Sequence, residues 1–323
     1  MGADGVFSPN MIKRVPSTKP PFTLGQVKKA IPPHCFERSL LRSAILPPPP
    51  STSYHLILPT LHGRSTGFSK AVSSLVFGSL HTNAATMPSV TTSGSTTQLA
   101  YSSTLRSFVP YFSWKFSHRR HHSNIGCLDL DEVFVPKLKS QIPWHYMYLK
   151  QSTRPSLSPI YSDRERLHIY ISDLGIFATT SVLCRIAITQ GLAFVISIYG
   201  VPLLFVNGFL VLITYLQHTH PSLPHYDSAE WDWLRGALVT VDRDYGILNK
   251  VFHNITDTHV AHHLVATIPH YHAMEATEAI KPVLGEFYQF DSTPFYKALW
   301  REARECLYVE PDEKGVFWFM NKF

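Results

Sequence analysis

Charge is scarce in this chain: Asp, Glu, Lys and Arg make up 16% of its 323 residues, against roughly 25% in an ordinary soluble domain. That deficit leans toward a protein partly embedded in lipid. The net charge of +6 would permit nucleic-acid binding. No helix-turn-helix, zinc-finger or RNA-recognition pattern is present, however, and the basic residues are scattered, so nucleic acid is not an expected partner. An anionic membrane surface accounts for the balance at least as well. Cysteine is also rare. Cys35, Cys127, Cys184 and Cys306 lie far apart with no C-x-x-C pair, which argues against a zinc ribbon or a disulfide framework and suits a reducing compartment. The first thirty residues contain no apolar run, so a cleaved secretory leader is not expected.

Acidic residues are missing from one region altogether. From Arg38 to Leu128 there is no Asp or Glu, although the chain has 23 of them. The same region carries PPPP at 47–50 and TTSGSTTQ at 91–98, and neither helical nor strand periodicity persists through it. Proline runs and Ser/Thr/Gly mixtures cannot build a packed core, so this stretch is expected to have low order.

What the sequence does contain is apolar. Hydrophobic residues make up 45% and aromatics 13%. Between Arg185 and Asp227 no charged residue occurs, and the segment at 191–216, GLAFVISIYGVPLLFVNGFLVLITYL, exceeds the roughly 20 apolar residues needed to span a bilayer. A poorer candidate precedes it at 169–188, where Asp173 and Arg185 would have to lie near the interfaces. Together they predict a transmembrane hairpin about 169–216, turning at Thr189, Gln190 and Gly191.

Histidine carries the chemistry. Six of the 18 histidines fall into two copies of one pattern, His118-Arg119-Arg120-His121-His122 and His259-Val260-Ala261-His262-His263. On a helix, positions i, i+3 and i+4 share a face, so each copy offers three imidazoles to one point. Neutral imidazole suits iron, zinc and copper, whereas hard cations would demand carboxylates. One such pattern alone could be an exposed basic patch; repetition at identical spacing, with a membrane hairpin between, favours a metal site. A third histidine-bearing stretch, Gln217-His218-Thr219-His220, lies where the long apolar span ends. His34, His55, His62, His81, His145 and His168 stand alone and read as surface or core histidines. His270 and His272 read as structural neighbours of the second pattern.

These residues carry a resemblance. VPYFSWKFSHRRHHSN at 109–124, the span 199–263 ending FHNITDTHVAHH, and IPHYHAMEATEAIKPVLGEFYQFD at 268–291 resemble the plant microsomal delta-12 (omega-6) oleate desaturase family, with its hydroxylase, epoxygenase and acetylenase offshoots. KRVPSTKPPFTLGQVKKAIPPHCFERS at 13–39 agrees. GVFWFMNKF at the end resembles the aromatic-rich tail that retains such enzymes in the endoplasmic reticulum. The resemblance implies an all-α, membrane-embedded, multi-pass desaturase fold and two non-haem iron ions. It also implies cytochrome b5 as electron donor and an oleoyl chain on a membrane phospholipid as substrate. His118, His121, His122, His259, His262 and His263 would be iron ligands, with His218 or His220 a further one. Asn254 and Asp257 would hydrogen-bond imidazole N–H groups, or Asp257 would simply cap the helix.

The family also needs a third cluster, His-Glu-Cys-Gly-His-His, ahead of HRRHH. Here residues 82–88 read TNAATMP. The codons CAC GAA TGC GGC CAC CAT GCC spell the family's box plus alanine, and dropping the first base spells TNAATMP. We therefore read residues 44–107 as an ancestral coding segment translated out of frame. The first transmembrane helices are lost with it, leaving an amino-terminal segment at 1–43 and a desaturase region at 108–323. A deletion is also expected after Lys150, where QSTRPSLSP passes directly to IYSDRERLHIY. With one box missing, the chain as written is expected to hold two irons incompletely and to be inactive. The competing expectations are a non-catalytic membrane protein that at most associates with paralogous desaturases, and a divergent hydroxylase or epoxygenase.

Overall fold

A computed structural model describes residues 13–39, 108–133, 135–141 and 161–321. Most of the segment expected to have low order, and the junction after Lys150, lie outside the described residues. The described chain is rich in helix, as expected, with two small sheets that the sequence did not announce.

Helix α1, Leu24–Ala30, starts in a capping box in which Thr23 N–H donates to Gln26 Oε1 at 2.7 Å and Gln26 N–H to Thr23 Oγ1 at 3.3 Å, satisfying two otherwise orphaned donors. A 3-10 turn, Pro33–Phe36, follows. Helix α2, Tyr111–Asn124, carries the first histidine pattern. Its two arginines leave the histidine face: Arg120 Nη1 lies 3.1 Å from Glu165 Oε1, and Arg119 Nη2 3.4 Å from the same oxygen. The cationic residues inside HRRHH therefore tie α2 to the next helix.

Two apolar helices, each long enough to cross a membrane, form over the stretch where the sequence predicts a hairpin. Helix α3, Asp163–Gln190, opens on a Ser162/Glu165 capping box, and α4 spans Leu192–His218. The residue between them, Gly191, has φ 92 and ψ 149, and its N–H closes α3 on Ala187 O at 2.9 Å. That conformation suits only glycine, which explains the turn at this residue. Asp173 and Arg185 are separated by about 18 Å of helix at 1.5 Å per residue, so each can approach an interface. The flanks of both arms expose Leu174, Phe177, Val182, Ile188 and Leu204, as a lipid-facing surface does. One turn of α4, Ile196–Gly200, is π-helical. It immediately precedes Pro202, whose ring removes a donor and crowds the preceding turn.

Both ends of the hairpin emerge on the same side, and the remaining elements assemble there. They are β1 (His225–Tyr226), α5 (Trp233–Ala237), β2 (Asp242–Arg243), α6 (Ile247–Val251), α7 (His259–Leu264), α8 (His270–Leu284), β3 (Phe290–Asp291), α9 (Phe295–Glu305), β4 (Tyr308–Glu313) and β5 (Val316–Met320). Strands β1, β5 and β4 form an antiparallel sheet, and β2 pairs with β3 in parallel. The carboxyl-terminal aromatic run is thus part of the fold: Val316 and Trp318 are buried, packed with Val15, Leu223 and Val241. A second core joins Phe22, Val27, Ile31 and Cys35 to Val260 and Leu264 of α7 and to Ile280 and Leu284 of α8. The amino-terminal segment and the second histidine helix therefore share one apolar cluster.

A buried ion network anchors the base of α4. Arg243 is completely buried and pairs with Asp291 and with Glu302, the latter at 2.5 Å. It also donates to Leu216 O at 2.8 Å and Thr219 O at 3.1 Å. Arg301 completes the balance, contacting Asp291 and Glu302 at 2.6 Å each. Two cations thus face two carboxylates, which is what makes charge tolerable in so dry a place.

Candidate metal centre

Three segments far apart in sequence bring seven imidazoles together. Helix α2 supplies His118, His121 and His122, the last residue of α4 supplies His218, and α7 supplies His259, His262 and His263. The Nε2 atoms of His118 and His122 are 3.1 Å apart. A continuous chain runs from His121 to His218 at 3.3 Å, on to His259 at 3.1 Å and to His263 at 3.2 Å. Two three-residue groups stand out, each with donor atoms within 4.8 Å of one another: His118, His122 and His262, and His121, His218 and His263.

Local packing explains why these helices meet. The indole of Trp231 donates to Ile125 O at 2.9 Å, and that of Trp233 to His122 O at 3.1 Å, satisfying carbonyls at the end of α2. Gly236 is needed there, because a Cβ would lie 2.2 Å from the Ile125 carbonyl oxygen. The amino end of α7 is held from a distance: Asp242 accepts from Val260 N–H at 2.8 Å and from the Tyr288 hydroxyl at 2.8 Å. Burial pushes the Asp242 carboxyl up to about 7. Beyond the end of α2, Asp131 lies 3.0 Å from His121 Nδ1, which directs the Nε2 lone pair of that ring into the cluster.

The cluster is chemically suited to a cation. Burial, reinforced by the neighbouring rings, holds His118, His122, His262 and His263 well below the ordinary histidine range and pushes His259 down to about 3. These five rings are therefore neutral, each with one lone pair and one N–H. A metal at about 2.0–2.1 Å from its nitrogens would place neighbouring donors about 2.8–3.4 Å apart for angles between square and tetrahedral. The Nε2 separations of 3.1–3.3 Å fall inside that range. His262 Nε2 is buried without a hydrogen-bond partner among the described residues, so a cation would satisfy an otherwise costly atom.

Three expectations need correction. His220 does not join the cluster. Its Nδ1 lies 2.6 Å from Ser222 Oγ and its Nε2 3.7 Å from Asp291, because α4 ends at His218 and the extended Thr219 turns the next side chain into the ion network. Asn254 and Asp257 contact each other at 3.1 Å and hydrogen-bond no imidazole among the described residues, and Thr258 occupies the cap position of α7. The residues that do these jobs, Asp131 and Asp242, lie after the first pattern and well before the second. Spacing gave no sign of them. Finally, His34 does not stand alone: with Cys35 it lies beside His272 and Glu275.

The fatty acid desaturase family model matches residues 98–294. An oleoyl-12-hydroxylase from Ricinus communis is 53% identical over 370 aligned positions, covering 97% of this chain and 94% of that protein. An endoplasmic reticulum omega-6 fatty acid desaturase, isozyme 2, from Glycine max is 54% identical over 96% and 94% of the two chains. A delta(12)-fatty-acid desaturase from Arabidopsis thaliana is 53% identical over 96% and 94%. These alignments are longer than the 323-residue chain, so the relatives carry residues that have no counterpart here. With a family match over more than half its length and relatives at this identity along nearly all of it, the chain belongs to the fatty acid desaturase family, in its plant microsomal delta-12 branch.

Proposed function

We propose that this chain is built for delta-12/omega-6 desaturation of an oleoyl chain on a membrane phospholipid, and that the form encoded here holds its metal centre incompletely and does not turn over. The convergence of seven imidazoles at the membrane-surface end of the hairpin carries the first half of this reading. His118, His121, His122, His218, His259, His262 and His263 would hold two irons. Bound there, the irons would supply the dioxygen-driven oxidation needed to remove hydrogen from an unactivated methylene. The protein orients His121 through Asp131 and keeps His118, His122, His259, His262 and His263 neutral by burial. Relatives named for the endoplasmic reticulum support residence in that membrane, and reduction by cytochrome b5 is part of the same proposal.

The second half rests on the missing box. His121, His218 and His263 are all buried, whereas His118, His122 and His262 are each only partly so. The family's His-Glu-Cys-Gly-His-His would add three imidazoles, and TNAATMP adds none. An under-ligated site binds and tunes its metals poorly. This observation favours the non-catalytic reading for the chain as written. Expression in yeast followed by fatty-acid analysis tests it: no linoleate is expected, and iron below two per purified chain. Linoleate in the extract would overturn the proposed inactivity, and a hydroxylated product would support the hydroxylase alternative. Genomic and transcript sequence across residues 44–107 tests the frame shift; codons at 82–100 that cannot be re-read as the family's box would sink it.

A further inference from the structure

A second cluster of donors lies outside the histidine centre and shares no residue with it: His34, Cys35, His272 and Glu275, their ligand atoms all within 4.8 Å of one another. We propose that these four residues form a separate structural site for one zinc-class divalent cation, fastening the amino-terminal segment to α8.

The backbone prepares the arrangement. Pro32 and Pro33 preset the 3-10 turn Pro33–Phe36, and fixed φ values at consecutive prolines leave little freedom in the approach. The turn presents His34 and Cys35 to the same point. On α8, His272 and Glu275 are i and i+3, so they share a face. His34 Nε2 lies 2.9 Å from Glu275 Oε2 and 3.7 Å from Cys35 Sγ, and His272 Nδ1 lies 3.8 Å from the same carboxylate oxygen. Zinc with bonds of about 2.0–2.2 Å to N and O and about 2.3 Å to S would set tetrahedral edges of about 3.3–3.7 Å. The observed separations bracket those edges.

The donor chemistry selects the cation. Binding would displace the proton of the Cys35 thiol to solvent, and two neutral imidazoles, the resulting thiolate and one carboxylate then carry two negative charges, which a divalent ion neutralises. Thiolate and imidazole disfavour magnesium and calcium and suit zinc. Four protein donors leave no open position, the mark of a structural site. The cluster bridges residues 241 positions apart at the rim of the core that α1 and α8 share with α7. Neighbouring contacts already seat the segment: Arg38 Nη2 donates to Thr267 O at 2.7 Å, and Ser39 N–H to the Tyr271 hydroxyl at 2.7 Å. A cation here would therefore steady the approach to the second histidine helix.

Zinc-edge X-ray absorption on the full-length chain in detergent, titrated with Zn2+, tests this directly. One bound zinc is expected to show a sulfur neighbour, because no cysteine belongs to the histidine centre. Cys35→Ser should erase that sulfur signal, and Cys35→Ser and His272→Asn should each weaken zinc binding about 10-fold or more. Chelation should lower the unfolding midpoint of the unaltered chain by more than that of Cys35→Ser, in which only the histidine centre still loses metal. A wild-type spectrum without sulfur would overturn the proposal whatever the variants do. So would a Cys35→Ser protein that binds zinc as tightly as the original.

Discussion

The two three-histidine groups are built from the same helices and differ in what lies over them. His121, His218 and His263 are sealed: Asp131 backs one ring, α4 ends directly into the group, and the ion network around Arg243 closes the base. His118, His122 and His262 are only partly buried. Each H-x-x-H-H copy feeds both groups at once: the first sends His118 and His122 to one and His121 to the other, and the second sends His262 to one and His263 to the other. Identical sequence spacing thus yields two unequal half-sites. The inequality reflects the cover each receives from the rest of the chain.

The largest change should come from rebuilding the open half. Replacing residues 44–107 with the corresponding segment of the Arabidopsis thaliana relative is expected to take linoleate in yeast from none to a measurable yield; absence of product with two irons bound would break the link between the box and activity. Next, His263→Ala should abolish the tightly retained metal, while His262→Ala leaves it in place, as metal content after dialysis would show. Equal losses would mean that the half-sites are equivalent. Arg243→Met would leave Asp291 and Glu302 buried with Arg301 as their remaining cationic partner, a loss of about 3–5 kcal/mol for a broken buried pair. Denaturant unfolding in detergent would measure that loss, and loosening the carbonyls on either side of His218 should weaken the sealed group first. Asp131→Asn should have the smallest effect, lowering metal affinity about 10–100-fold by misorienting His121. An unchanged affinity in a metal titration would show that α2 alone positions that ring.

Several features of the fold were legible in residue order because their causes are local. Gly191 ends one apolar run and begins another, and only glycine tolerates its φ of 92, so the hairpin turn could be placed within a residue or two. The i, i+3, i+4 spacing placed three imidazoles on one helix face, and that face is the one that converges. Other assignments failed for reasons of distance. His218 and His220 are equivalent candidates in sequence, and what separates them is the end of α4 together with the ion network beyond it. Asp131 and Asp242 look like ordinary acidic loop residues until tertiary packing brings them to His121 and to the amino end of α7. The short strands were missed because their pairing joins segments far apart, as β1 does with β5.

By itself the sequence determined the lineage, two helices apolar enough to cross a membrane, the six repeated histidines and the absence of the box that should accompany them. Each depends on identity or spacing within a short window, where helical geometry and apolar length act directly. Only the tertiary structure decided that His218 joins the centre and His220 does not, and that one half-site is sealed and the other open. It alone drew His34, Cys35, His272 and Glu275 into one cluster. Those outcomes depend on which elements bury which surfaces, and burial is a property of the assembled chain.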